Sequence, residues 1–208
     1  MNVIDKLASS LNRRDEVPNQ NLARELADKN NTAAIREILK NLTNKNKNIQ
    51  SDCIKVLYEI AVLKPRLVSE YLNVFLTLIE NPNNRLVWGA MMAIDHITLQ
   101  KPKEVYNALP KIIAAADKGS VISRDHCVGI LIKLSSVKEY AKDAFDLLSE
   151  QLKNCPVNQL AMYAENASSV INETTRIAFI KTLQARLKDV EKDSQQKRIE
   201  KVIKKLSK

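Results

Sequence analysis

Two histidines, three cysteines and a set of scattered carboxylates are the residues of this 208-residue chain that could do chemistry, and their spacing argues against most of it. His96 and His126 each follow an aspartate, Asp95 and Asp125, and His126 precedes Cys127. A nucleophile and its base must meet, whereas neighbouring residues on a helix point about 100° apart, so His126 and Cys127 do not read as a catalytic pair. The chain has only three glycines and shows no phosphate-cradling loop, no histidine–glutamate zinc motif and no serine-centred elbow. No pair of cysteines has zinc-ligand spacing. The expectation is therefore no cofactor, no metal and no catalytic residue, with both histidines on the surface or between helices. Cys53 and Cys127 read as small packing residues and Cys155, beside Pro156, as a free thiol in a loop. Unpaired cysteines suit a cytoplasmic location.

The elements that must position these residues repeat. Ile49, Cys53, Val56, Leu57 and Ile60, advanced by 37 residues, become Leu86, Ala90, Ala93, Ile94 and Ile97. The next step gives Ser123, Cys127, Ile130, Leu131 and Leu134, and the next Leu160, Ala164, Ala167, Ser168 and Ile171. The intervening helices keep a register of their own through Ile35, Leu72, Leu109, Phe145 and Leu183. Such a period marks stacked helical pairs, none of which can bury its apolar stripe alone. Five hairpins are predicted: 32–43 with 49–63, 65–80 with 84–100, 102–117 with 120–137, 138–153 with 156–172, and 173–191 with 194–207. Lys64-Pro65 and Lys101-Pro102 place proline in the first turn of a helix, where its missing N–H has no intrahelical partner. Asn44–Asn48 and Asn81–Asn84 supply turns and N-caps. Pro110 falls inside a predicted helix and should kink it near Tyr106.

A single domain over 1–208 follows, with N-terminal cap helices in 1–30, repeats over 32–191 and a basic helix over 192–208. In the cap, Val3, Ile4, Leu7 and Leu11 form one apolar pattern and Leu22 and Leu26 another, separated by Pro18. With 45% hydrophobic and 27% charged residues, strands are not expected. The first residues lack the pattern of a signal peptide, and no apolar run reaches the roughly 20 residues that span a bilayer. The expectation is no membrane insertion.

The second helices resemble those of the HEAT-repeat, armadillo-like family, in which a turn is followed by Val-Arg, a small residue, Ala-Leu and a further Leu. Asn81, Leu86, Ala90, Ala93, Ile94 and Ile97 fit that pattern, as do Lys118, Arg124, Cys127, Ile130, Leu131 and Leu134. The family's arginine occurs once, as Arg124, against Gln50, Val87 and Ala161, so no arginine ladder is expected. The 34-residue tetratricopeptide period and its Trp-Leu-Gly-Tyr signature are missing. The resemblance implies an all-α, right-handed solenoid of about five hairpins whose second helices line a concave face. Helical spacing then puts Ser51, Lys55 and Tyr58, Trp88, Met92 and Asp95, Asp125, Gly129 and Ile132, and Met162, Asn166 and Ser169 on that face. Tyr58, Trp88, Met92, Ile132 and Met162 would make an apolar groove for a protein partner. The competing reading has Trp88 and Met92 filling gaps between hairpins. The resemblance also admits an alkylpurine DNA glycosylase relative, with Trp88, Asp95, Arg124 and Asp125 as the available residue types.

Charge is uneven. The net charge is +9, and from Arg186 onward nine basic residues against four acidic ones leave +5. Lys197, Arg198, Lys201, Lys204 and Lys205 form a basic patch there, with Lys208 beyond it. A nucleic-acid groove would carry basic residues along several repeats, so weak, salt-sensitive nucleic-acid binding is the most this patch predicts. A protein partner is the leading expectation. Partner identity and oligomeric state are not encoded in any motif.

Overall fold

The computed structural model describes residues 2–207; Met1 and the Lys208 of the basic end lie outside them. Among the described residues the chain is entirely helical, without strands. Twelve α-helices are formed: α1 (Val17–Asp28), α2 (Thr32–Lys40), α3 (Lys47–Leu63), α4 (Leu72–Leu78), α5 (Asn84–Ile97), α6 (Pro102–Asn107), α7 (Leu109–Lys118), α8 (Val121–Ser135), α9 (Ala141–Asn154), α10 (Val157–Ala167), α11 (Glu173–Leu187) and α12 (Asp193–Leu206). They group into two compact units, residues 1–127 and 128–208.

In the first unit α2 packs on α3 and α4 on α5, while α1, α3 and α5 lie side by side as consecutive second helices. The 37-residue positions are the core of that layer: Cys53, Val56, Leu57 and Ile60 of α3, and Ala90, Ala93, Ile94 and Ile97 of α5, are all fully buried. α1 belongs to the same layer. Its buried Leu22, Ala23, Leu26 and Ala27 stand 34 residues before Val56, Leu57, Ile60 and Ala61, so the N-terminal cap is built like a repeat. Gly89 sets the closeness of α3 and α5, because a Cβ there would come within 2.6 Å of Ile54 Cγ1. In the second unit α9 pairs with α10 and α11 with α12, with α9 beside α11 and α10 beside α12.

The turns follow the asparagines. Asn46 and Asn83, 37 residues apart, are the N-caps of α3 and α5 and accept from the Asn48 and Arg85 N–H groups at 2.9 and 3.0 Å. Asn44 and Asn81 repeat the motif two residues earlier. Pro65 and Pro102 occupy first-turn positions.

The first helices depart from expectation. The predicted 65–80 helix is two 3-10 turns, Pro65–Leu67 and Ser69–Tyr71, followed by α4, and the predicted 102–117 helix is divided at Ala108. The division recurs in register, since α4 starts at Leu72 and α7 at Leu109. Asn73 stands where α7 has Pro110, so proline is not the common cause. Breaking the axis lets Val68 and Leu72, or Val105 and Leu109, all reach the core. Pro110 sits in the first turn of α7, where its lacking N–H costs nothing. At the N-terminus, Val3–Lys6 makes only a 3-10 turn, and Pro18 starts α1 instead of separating two helices.

Candidate functional site

Once the core positions of α3 and α5 are filled, each helix keeps a strip of open or partly open side chains along one side, besides residues nearer its ends such as Ile49, Gln50, Asp52 and Leu63 of α3. On α5 the strip is Arg85, Trp88, Met92 and His96, continued by Leu99 two residues past the helix end; on α3 it is Asn48, Ser51, Glu59 and Val62, with the largely buried Lys55 between Ser51 and Glu59. These are steps of three and four residues along one side of a helix. Val62 and Leu99 lie 37 residues apart at the C-terminal ends, 42% and 51% exposed, and mark the apolar end of the strip.

Trp88 is half-buried, its ring 5.5 Å from that of Tyr58 and tilted by 48°. Tyr58 is not on the open face: it is 3% exposed, wedged between α3 and α5, and burial pushes its phenol up from the ordinary value. Asp95, 37 residues later, is 8% exposed and accepts from His126 Nδ1 at 2.9 Å, tying α5 to α8. Tyr58 and Asp95 both face the next second helix, and the position one residue further on, Glu59 or His96, is partly open. Met92 is on the strip and partly exposed.

Arg124 is held away from the strip as a cap on α7, its guanidinium donating to the Ala116 and Asp117 carbonyls at 3.4 and 3.2 Å. Asp125 is partly exposed on α8. The four glycosylase-type residues thus have separate surroundings: on α5, Trp88 packs on Tyr58 and Asp95 holds His126, and on α8, Arg124 caps α7 while Asp125 is partly exposed. In the second unit Ile132 and Met162 are each partly exposed. Of the basic patch, Lys197, Lys201, Lys204 and Lys205 are exposed, and Arg198 Nε donates to Glu165 Oε1 at 2.8 Å, which holds the Glu165 carboxyl below its usual range.

The polar end of the strip is charged but closed on itself. Lys55 is largely buried, with its ammonium 2.7 Å from both Glu16 and Glu59 and 4.8 Å from the Tyr58 ring centre. Burial alone would lower its pKa; the hydrogen bonds to Glu16 and Glu59 outweigh that and hold it above the ordinary lysine value. Glu16 also takes Arg85 at 3.2 Å. Asp52 pins the N-terminal segment, accepting from the Ser9 N–H at 2.8 Å and from Asn19 Nδ2 at 2.7 Å, while Asn19 Oδ1 takes the Ala8 N–H. Between that segment and the start of α3 and α5 lies a cleft of about 540 Å³, lined by polar groups almost throughout. Sequence reasoning missed Glu16, Asp52 and Asn19, which are long-range polar partners without periodicity. Val62 and Leu99 had a signal in their 37-residue spacing.

No group of three or more His, Cys, Asp or Glu that could hold a metal occurs among the described residues. The Cys53 and Cys127 thiols are fully buried and pushed up to about 12 by that burial, which makes them poor nucleophiles at neutral pH. Cys155 is an unpaired thiol, as its loop position led one to expect, and it is buried, its sulfur near the Leu152 carbonyl. No described helix is long and apolar enough to cross a membrane.

No protein-family model matches the chain, and no curated protein sequence matches it. Among solved structures it is similar to a computationally designed armadillo repeat protein made for modular peptide recognition, with a TM-score of 0.65 and 16% identity over 97% of each chain. It is also similar to an engineered protein from the Northeast Structural Genomics Consortium, with a TM-score of 0.58 and 18% identity, covering 100% of this chain and 97% of the other. At such identities the likeness concerns the fold alone. The fold is that of an all-α helical-repeat protein resembling the armadillo and HEAT-like class.

Proposed function

We propose that this protein is a non-catalytic interaction module that binds a segment of a partner protein on the strip formed by α3 and α5, with Trp88 as its anchor. One observation carries the reading: among the side chains left open or partly open along α3 and α5 are Trp88, Met92 and Val62, with Leu99 just past the end of α5, large apolar groups on two adjacent helices. Indole and thioether side chains that are half-buried already lose little entropy on binding and can bury the remaining area against a partner. The Tyr58 ring packs against the indole, so the surface is preformed and its ordering cost is small. The similarity to a designed scaffold for peptide recognition supports the same reading. A cytoplasmic location is part of the proposal, supported by three buried, unpaired thiols.

The test is a photo-crosslinking amino acid at Val62, in cells carrying the wild-type protein or Trp88→Ala. A discrete crosslinked partner should form with the wild type and be lost with Trp88→Ala. The same substitution should cost only about 0.5–1.5 kcal/mol of stability, the worth of an aromatic contact. Leu57→Ala, by contrast, opens a core cavity and should cost about 2–5 kcal/mol. Crosslinks that persist without Trp88, or none above background, would remove this reading.

A further inference from the structure

The apolar end of the strip carries a charge excess that the interaction reading does not use. After α3 the chain runs Val62, Leu63, Lys64, Pro65, Arg66, and 37 residues later, after α5, it runs Leu99, Gln100, Lys101, Pro102, Lys103. Val62, Leu63 and Leu99 are all well exposed. The four cations of this edge are not equally engaged. Lys64 Nζ donates to the Ala27 carbonyl at 3.2 Å, and Lys101 stands 3.7 Å from Glu104. Arg66 and Lys103, which are equivalent in the repeat, are exposed and form no ion pair among the described residues. Local stability does not account for Lys103, which lies in the first turn of α6, where a helix dipole favours an anion. Over residues 62–67 and 99–104 the four cations face one anion, Glu104, an excess of three. The flanking charges leave that excess standing. Lys55 and Arg85 balance Glu16 and Glu59, Lys6 and Lys29 balance Glu25 and Asp28, and Arg36 offsets Glu70 beside Tyr71.

We propose that this edge receives two acidic residues of the bound segment, paired with Arg66 and Lys103, while apolar residues beside them lie on Val62, Leu63 and Leu99. The inference rests on the interaction reading and narrows the partner to a segment in which carboxylates adjoin an apolar run. Packing brings the two cations within reach of one ligand. α3 and α5 lie against each other and the Pro65–Leu67 turn packs on α5, so consecutive repeats are in contact at this edge. Equivalent positions of adjacent repeats are then about one interhelix spacing apart, roughly 8–10 Å, which about three residues of extended chain span. The two acidic residues therefore belong about three positions apart. Continuity selects a chain as the occupant. Leu99 prolongs the line of Trp88, Met92 and His96, so a segment lying on that line arrives at the cations, whereas a flat membrane surface meeting the edge gains nothing from the line. A second copy set edge to edge would bring like charges together.

The experiment selects binders from a random dodecapeptide library displayed on phage, against the full chain as wild type, as Arg66→Gln combined with Lys103→Gln, and as Trp88→Ala. Wild type is expected to recover peptides that join a Leu, Ile or Phe run to two Asp or Glu about three positions apart. The double variant should recover apolar peptides without the acidic pair. Fluorescein-labelled synthetic copies of the wild-type peptides, read by polarisation, should bind wild type about three- to tenfold tighter than the double variant, in keeping with two exposed ion pairs. That difference should vanish in about 1 M salt, which screens exposed charges. Lys181→Gln, in the second unit, should bind as wild type does. Peptides that need Trp88 but lack the acidic pair, or that bind the double variant equally well, overturn the acidic edge and leave the strip reading in place. Peptides indifferent to Trp88→Ala, or no enrichment at all, overturn both. Cosedimentation with phosphatidylserine–phosphatidylcholine vesicles that depends on Arg66 and Lys103 would make the edge a membrane contact and likewise overturn the proposal.

Discussion

Tyr58 and Asp95 show how small a rotation separates a groove residue from a buried one. Both occupy the same repeat position, and helical spacing puts that position on the concave face; in the structure each turns toward the next second helix and meets a residue there, Trp88 or His126. One step along the chain, Glu59 and His96 remain partly open. Spacing fixes a side chain's direction to within tens of degrees, and whether a neighbouring helix covers that direction is a tertiary fact. A second residue-scale case lies in α9, where the Ser149 hydroxyl is buried without a hydrogen-bond partner among the described residues. Such a group keeps its desolvation cost and gains nothing in return. Ser149→Ala is expected to be neutral or to stabilise the protein by up to about 1 kcal/mol in denaturant unfolding; a loss of more than that would reveal a hydrogen bond in solution.

At the scale of the element, the repeated break before α4 and α7 decides what Pro110 does. A proline that caused the break would, once replaced, let the helix run through Ala108. The equivalent break before α4 occurs with Asn73 in that place, so Pro110→Ala should leave the division intact and cost only about 0.4–1 kcal/mol, mostly by loosening the unfolded chain. A stability gain accompanied by increased helical circular dichroism would contradict this. Gly89→Ala pits helix propensity, worth about 1 kcal/mol in favour of alanine, against a Cβ placed 2.6 Å from the fully buried Ile54. Overpacking should win by about 1–3 kcal/mol, lowering the unfolding midpoint. The N-terminal 3-10 turn is fastened to α1 by Lys6, which with Lys29 depresses the Glu25 carboxyl below its ordinary value. A depressed carboxylate contributes stability that is present above its unfolded pKa and lost as pH falls through the folded one. Lys6→Gln should therefore be less stable than wild type by about 0.2–1 kcal/mol at neutral pH, with the difference closing as pH drops below about 4. A gap that persisted in acid would mean the lysine acts by packing.

For the molecule as a whole, the period, the helix pairs and the asparagine caps were legible because each is a local pattern repeated along the chain. The N-terminal segment was not, because Asn19–Asp52 and Glu16–Lys55 are single polar pairs between distant residues, and nothing in a sequence links such partners. The same distinction governs nucleic-acid binding. Net charge of +9 draws any polyanion, yet on the α3–α5 strip Lys55 and Arg85 are met by Glu16 and Glu59, so the cations are not free to replace counterions. The exposed lysines of α12 are confined to one helix, and Arg198 there is bound to Glu165. Few phosphates can then be neutralised together, and affinity falls with salt according to that number. Duplex DNA or RNA titrated into the protein should bind weakly at low ionic strength and lose that binding at physiological salt. The loss should be complete at lower salt when Lys197, Lys201 and Lys204 are changed to glutamine, and Arg85→Gln should have little effect. Binding that survives physiological salt and depends on Arg85 would place a nucleic acid on the strip assigned here to a protein partner.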